Sequence, residues 1–326
     1  MNADLTGLAT RIGSKVITAE EIAARFGKPV RRVKKNGINS LYIFSGNETL
    51  EGSAAEAARQ AIEESGAHLS EIKGIYASGG GANADYFMPG FARSIGKRLG
   101  LKEIPMITLS VGCAGGMHAL QITYNQMLAD SQEGKGGDYL VVVGDHTSRI
   151  LDEASWDTAS LFSDGVAAMV VSSHTVGSYT ITSMGNKTLE GDIFSMKVAN
   201  PSVQDGVDRA IFKMDGNAVF EFATFEAYPQ ALALLGFSEL PSNCYFVPHH
   251  ANALILEHIQ GRNKIPAEQM YMEGPGKFGN LSGASVFFGL DDVIRRNLAG
   301  TRHIVLGAFG AELAVSAAYL KRTSQE

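Results

Sequence analysis

A cysteine set among small residues where a strand gives way to a helix can act as a nucleophile, and Cys113 in LSVGCAGGMHALQITYNQ has that setting. Residues Ile107 to Val111 read as a short buried strand, and Ala119, Ile122, Thr123, Gln126 and Met127 then recur at helical spacing. Cys113 therefore falls at a predicted helix N-terminus, where unpaired N–H groups and the positive end of the dipole favour thiolate, drawing the pKa below its ordinary value of about 8.5. Gly112, Gly115 and Gly116 leave approach to the sulfur open. The alternative for a cysteine taken by itself is a small buried hydrophobe. Two further stretches have the same look. FVPHHANALI ends a predicted buried strand on His249, and GPGKFGNLSGAS puts Asn280 between glycines at a predicted helix start. Singly, His249 reads equally as a core histidine and Asn280 as a helix cap.

The elements that must position these residues come in two matching series. A predicted helix from Thr49 to Gly66 leads to a strand from Ile72 to Ser78, as a predicted helix from Gly216 to Leu235 leads to a strand from Cys244 to Val247. The Cys113 helix is followed by the buried strand Tyr139 to Gly144, and the helix opened by Asn280 by the strand starting at His303. A repeat of this size points to duplication, with one half over residues 1–175, a second over 176–326, and Cys113 and Asn280 at matching corners. Other expected elements are a helix after Thr18, a helix from Phe91 to Leu99, and strands from Ala167 to Ser172 and Tyr179 to Ser183. A surface lobe is expected between Gly185 and Asp208, and the apolar tip Tyr86, Phe87, Met88 of a glycine-rich loop has the makings of a pocket wall.

Composition narrows the class. The 326 residues are 45% hydrophobic and 19% charged, which suits a large globular core, and 28 Lys plus Arg against 34 Asp plus Glu leave no global basic footprint for nucleic acid. Two cysteines make a disulfide framework unworkable and favour a reducing compartment. No apolar run has membrane-spanning length and the N-terminus lacks a signal-peptide pattern, so the expectation is a cytoplasmic protein with no membrane partner and no metal site. One local basic run, Arg31, Arg32, Lys34 and Lys35, is closed by Asn36-Gly37; it reads either as a solvated face or as a contact for phosphates or an acidic carrier.

The chain resembles a type III β-ketoacyl-acyl-carrier-protein synthase of the thiolase superfamily over nearly its whole length. VGCAGGMHAL is similar to the family's nucleophile segment, PHHAN to its PHQAN motif, GNLSGAS to GNTSAAS, FSDGVAA to FGDGAGA, MDGNAVF to MAGNEVF and GAFGAE to its AFGGG loop. The resemblance implies an α/β thiolase-like fold, a duplicated five-layer αβαβα arrangement, in a homodimer. It implies that Cys113 takes an acyl group from a coenzyme A or carrier-protein thioester, and that His249 and Asn280 bind a malonyl thioester and promote its decarboxylation. Backbone N–H groups of Cys113, Gly310 and Ala311 would hold the oxyanion. Substrate contacts are expected from Gly216, Asn217, Phe220 and Asn252, and from Phe87 and Met88 at the loop tip. No cofactor is implied beyond the coenzyme A or phosphopantetheine arm of the substrates, and the partners would be acyl carrier protein, acyl-coenzyme A or both.

Departures from the pattern loosen the substrate. Arg31 and Lys35 stand where the family has a tryptophan and an arginine that grip coenzyme A, Leu254 replaces an arginine after PHQAN, Glu221 a lysine after MAGNEVF, and Glu312 enters the glycine loop. A specialised pathway synthase, divergent from the housekeeping fatty-acid initiator, fits as well. An acyltransferase to oxygen or nitrogen on the same fold is the main alternative. A papain-like Cys-His-Asn hydrolase has the chain order but lacks CGSCW around Cys113. A degradative thiolase would need a second, C-terminal cysteine, which GAFGAE does not supply.

Overall fold

The computed structural model describes residues 2–79, 90–191, 196–199, 211–310 and 313–323. Thirteen strands are present among them: β1 (Asp4–Ile12), β2 (Lys15–Thr18), β3 (Ser40–Ile43), β4 (Ile72–Gly79), β5 (Met106–Leu109), β6 (Asp138–Asp145), β7 (Gly165–Ser172), β8 (Tyr179–Thr188), β9 (Met196–Ala199), β10 (Ile211–Met214), β11 (Cys244–Pro248), β12 (His303–Gly310) and β13 (Ala314–Arg322). Nine of them form one sheet in the order β11-β12-β13-β8-β1-β7-β6-β4-β5. The sheet is two similar sets joined by a narrow seam, since β1 meets β8 only at Asp4 and Leu5. In the first set β1, β7 and β6 are antiparallel neighbours and β4 and β5 run parallel beyond them. The second set repeats this with β8, β13 and β12 antiparallel and β11 parallel to β12.

Two helices, Gly115–Gln132 and Ser285–Arg295, lie between the sets, and their Met117, Leu120, Phe287 and Leu290 share one core with Val141, Met169, Val247 and Leu306 from the strands. Outside, helices Leu50–Ser65 and Phe91–Leu99 cover the first set, and the segment from Phe222 with helix Ala253–Arg262 covers the second. Five layers result, the arrangement the resemblance implies. β7 is buried along its whole length, which is why its sequence runs GVAAMVVS without polar alternation. Helix Leu50–Ser65 is started by the Thr49 hydroxyl accepting the Gly52 N–H at 3.0 Å and stopped by Gly66 at φ 71°. Its buried alanines let it sit on β1 so closely that a Cβ on Gly7 would lie 2.0 Å from the Ala61 carbonyl oxygen.

Several local expectations need correction. Ile107 to Val111 is not a buried strand: β5 stops at Leu109 on the edge of the sheet, and Ile107 is 42% exposed. Gly216 to Leu235 is not one regular helix. It breaks into α, π and α segments with the π stretch at Phe222–Ala227, because Pro229 has no N–H to continue the ladder. Residues 185–188 of the expected lobe belong to β8 and pair with β13, while 192–195 and 200–208 lie outside the described residues.

The two central helices can approach only because their facing residues are small. A Cβ on Gly116 would come within 2.5 Å of the Phe287 ring and 2.8 Å of the Gly283 carbonyl oxygen. Gly116→Val should therefore destabilise the fold by about 1–3 kcal/mol or more, the usual cost of overpacking. A denaturant melt checks this; an unchanged midpoint would mean that the helix pair yields freely.

Candidate active site

Matching turns begin the two central helices. In the first half a 3₁₀ turn, Gly112–Ala114, precedes helix Gly115–Gln132; in the second, Ser282–Ala284 precedes helix Ser285–Arg295. Cys113 is thus one short turn before the regular helix and is 5% exposed. β12 ends against it: a Cβ on Gly310 would lie 2.9 Å from the Ala114 nitrogen and 3.1 Å from the Cys113 nitrogen, so only glycine lets this strand end reach the Cys113 backbone.

A cavity of about 620 Å³ is lined by Cys113, His249 and Asn280 together. His249 caps the end of β11, its backbone N–H donating to the Gly307 carbonyl of β12 at 2.7 Å, and its ring packs edge-on to Phe309 with centroids 5.1 Å apart. Its Nδ1 is buried without a hydrogen-bond partner, which leaves Nε2 as the nitrogen available to the cavity. Asn280 is clamped through its backbone, donating to the Leu161 carbonyl at 2.9 Å and accepting from the Ser163 N–H at 2.8 Å. Its Oδ1 accepts the Ser282 N–H at 2.9 Å. The carboxamide oxygen is thereby occupied, and the NH₂ end is the one free to donate to a ligand.

The electrostatics differ from the sequence expectation. Burial pushes the Cys113 thiol up to about 11, opposed by a hydrogen bond from Ser282 and one from the backbone, while the nearby Asp145 carboxyl raises it further. The expected lowering at a helix N-terminus is overturned because the sulfur has left water, and desolvation of a thiolate outweighs the partial charge of a helix end. Burial likewise pushes His249 down to about 4, so the imidazole is neutral at pH 7. Asp145 at the end of β6 is pushed up to about 6 by burial, against stabilisation of its ionised form by the Ser282 hydroxyl and the Gly283 N–H. The resting site holds a thiol and a neutral imidazole.

Gly216, Asn217, Phe220 and Asn252 all line the cavity as expected. The Asp215 carboxylate opens helix Gly216–Glu221 by accepting the Asn217 and Ala218 N–H groups, and the Asn252 Oδ1 caps helix Ala253–Arg262 by accepting the Ile255 N–H at 2.9 Å. Arg31 and Lys35 do not line it. They stand exposed on a helix, Val30–Lys35, whose following residue Asn36 reaches the cavity wall. Phe87, Met88, Ala311 and Glu312 lie outside the described residues.

Sequence reasoning missed Trp156, which lines the cavity while the Lys28 and Arg32 cations sit over its ring at 5.5 and 5.8 Å. Its being the only tryptophan of the chain was the available signal. Ser282 was missed too: its hydroxyl lies 3.7 Å from the Cys113 sulfur. Among the described residues no cluster of His, Cys, Asp and Glu could hold a metal ion.

Comparison with known proteins shows what the chain as a whole is similar to. Residues 107–188 match the family model described as 3-oxoacyl-[acyl-carrier-protein (ACP)] synthase III, and residues 243–322 its C-terminal counterpart. The chain is 26% identical over 324 residues to a β-ketoacyl-[acyl-carrier-protein] synthase III of Sulfurimonas denitrificans, covering 95% of each. It is 27% identical over 341 residues to β-ketoacyl-[acyl-carrier-protein] synthase III 1 of Bacillus cereus, covering 98% of this chain and 99% of that one. Among solved structures, the priming β-ketosynthase from the R1128 polyketide biosynthetic pathway superposes with a TM-score of 0.85 at 25% identity, over 99% of this chain and 97% of that one.

Proposed function

The chain belongs to the 3-oxoacyl-acyl-carrier-protein synthase III family of acyl-thioester condensing enzymes, and from that premise we propose that Cys113 is its acyl acceptor and that His249 and Asn280 serve the condensation. The observation that carries this reading is the meeting of these three side chains, from distant parts of the chain, on one cavity. In the first half-reaction the Cys113 sulfur bonds to the acyl carbon of a coenzyme A or carrier-protein thioester, the donor's own C–S bond breaks, and the donor leaves as a thiol. Negative charge on the tetrahedral oxygen would be met by the N–H groups of Cys113 and of Gly310 at the end of β12, Ala311 lying outside the described residues.

In the second half-reaction a malonyl thioester presents its carbonyl oxygen to the neutral imidazole of His249 and to the Asn280 carboxamide NH₂. Loss of carbon dioxide leaves an enolate whose oxygen those two donors stabilise, and its carbon attacks the acyl carbonyl on Cys113, releasing the sulfur. A histidine kept neutral by burial can fill this role in the tautomer that carries its proton on Nε2, with the buried Nδ1 unprotonated. The duplication into halves at residues 1–175 and 176–326 explains why the sulfur comes from one half and the donors from the other.

At the mouth, Trp156 with Lys28 and Arg32 offers an aromatic face flanked by cations, and the exposed Arg31 and Lys35 extend that charge outward. We assign this face to the phosphate-bearing arm of the donor or to an acidic carrier protein. The open edge of β5, with Ile107 exposed, suits pairing with a second copy of the chain, the homodimer the resemblance implies.

Incubation with acyl-coenzyme A donors should give one adduct by intact-protein mass spectrometry, lost in Cys113→Ala. Asn280→Ala should still acylate yet release carbon dioxide from a malonyl donor about a hundred- to a thousandfold more slowly. Acylation by the wild type without any carbon dioxide release would favour transfer to oxygen or nitrogen instead. Reversing Arg31 and Arg32 to Glu should raise the apparent donor KM at low salt, with the effect fading as salt rises, because exposed charges act mainly on encounter; salt-independent kinetics would return the helix to a solvated face. Light scattering should give twice the chain mass for the wild type, and Ile107→Lys should lower it toward a monomer; an unaltered mass in the variant would place the interface elsewhere.

A further inference from the structure

The buried thiol leaves a proton to be disposed of when Cys113 is acylated, and His249 and Asn280 are committed to the second half-reaction. The Ser282 hydroxyl lies 3.7 Å from the sulfur and is buried. Its backbone is unusual. Ser282 has φ 53°, a left-handed conformation that strains a non-glycine residue. The residue in the same position of the first half's turn, Gly112, has the same φ of 53° without that strain. The second half thus keeps a strained serine where its mate has a glycine, and what the serine adds is a hydroxyl on the nucleophile. Beyond it stands Asp145, the last residue of β6. It lies where β4 comes so close that a Cβ on Gly79 would be 3.3 Å from its Oδ1, and its carboxyl interacts with the Ser282 hydroxyl and the Gly283 N–H.

We propose that Ser282 is a catalytic residue of the acylation step, taking the Cys113 proton as its own passes to Asp145, which acts through it as a positioning residue and proton acceptor. The proposal rests on Cys113 as acyl acceptor. As the bond from Cys113 Sγ to the acyl carbon forms, the thiol proton moves to Ser282 Oγ and the serine proton to the Asp145 carboxylate. When the donor's C–S bond breaks, the proton returns along the same line to the departing thiolate, which leaves as a thiol, and Asp145 is ionised again. No external acid, base or oxidant is consumed. The titratable groups around Asp145 are Cys113 on the adjoining turn, Asp164 on the turn into β7 and His146 next in the chain; the turn Ser282–Ala284 carries no charge. Burial raises Asp164 and lowers His146 from their ordinary ranges, and the two face each other with His146 Nε2 3.6 Å from Asp164 Oδ2.

The test is single-turnover acylation of Cys113 by 4-nitrophenyl acetate between pH 5 and 8, followed by intact-protein mass spectrometry with Cys113→Ala as background. This activated ester needs neither donor recognition nor decarboxylation, so the outcome is separate from that of the condensation. Failure to condense malonyl thioester with Cys113 still acylating would count against the proposed function and not against this step. The wild-type rate should rise with pH through about 6, as Asp145 ionises, and then level. Ser282→Gly suits the backbone conformation and should melt at or above the wild-type temperature while acylating about ten- to a hundredfold more slowly at pH 7. Asp145→Asn should be slowed comparably and lose the limb near 6, and the double variant should be no slower than the worse single one, because the two act in series. If Asp145 merely raises the thiol pKa by its charge, Asp145→Asn would acylate faster than the wild type. That result, or a Ser282→Gly rate within threefold of wild type with the limb intact, would overturn the proposal.

Discussion

The whole site depends on how closely three pieces of bare backbone meet at the centre of the molecule. The turn at Gly112–Ala114, the turn at Ser282–Ala284 and the end of β12 at Gly310 approach within van der Waals distance. A Cβ on Gly283 would stand 3.2 Å from the Gly112 carbonyl oxygen, and one on Gly310 closer still to the Cys113 turn. Two packed helices and two sets of strands bury a common core around that point. Interiors packed to crystal-like density hold such a junction in one arrangement. The geometry of the proposed site follows from core packing, since Cys113 and Asn280 lie just before the two central helices and His249 just after β11.

Enclosure decides the charge state. Cys113, His249 and Asp145 are all shifted toward their neutral forms, and in each case burial is the largest cause. Such a cavity suits a reaction that creates charge transiently on a tetrahedral oxygen and then on an enolate. Donors already fixed in a water-poor space need little reorganisation when that charge develops. The cost falls on the nucleophile, which must lose its proton where a thiolate is poorly solvated.

Charge is kept to the rim. The cations that frame Trp156 are Lys28, just before the helix Val30–Lys35, and Arg32 on that helix, whose Val33 joins Ile38, Leu41, Phe162 and Phe212 in a small separate core that caps the cavity wall. This cap also packs against Cys113, so the surface that meets the donor and the floor that holds the nucleophile are parts of one cluster.

Periodicity and turn residues were enough to read the duplication, the two central helices and their strands, because those elements are long and their burial pattern is carried by the chain itself. Motifs around Cys113, His249 and Asn280 pointed to these residues, and to Gly216, Asn217, Phe220 and Asn252, and the structure brings all seven onto one cavity. What failed needed the third dimension. Ile107 looks buried by composition but lies on a sheet edge, and no local pattern states where a sheet ends. Arg31 and Lys35 stand outside the cavity while Trp156 lines it, a choice made by how the cap folds over the mouth. The Cys113 thiol is raised where a helix start would lower it, because desolvation is set by all the surrounding groups and only folding assembles them. Ser282 and Asp145 carry no motif that announces a role in the sequence; their relation to the sulfur exists only because two turns from distant halves share one point in space.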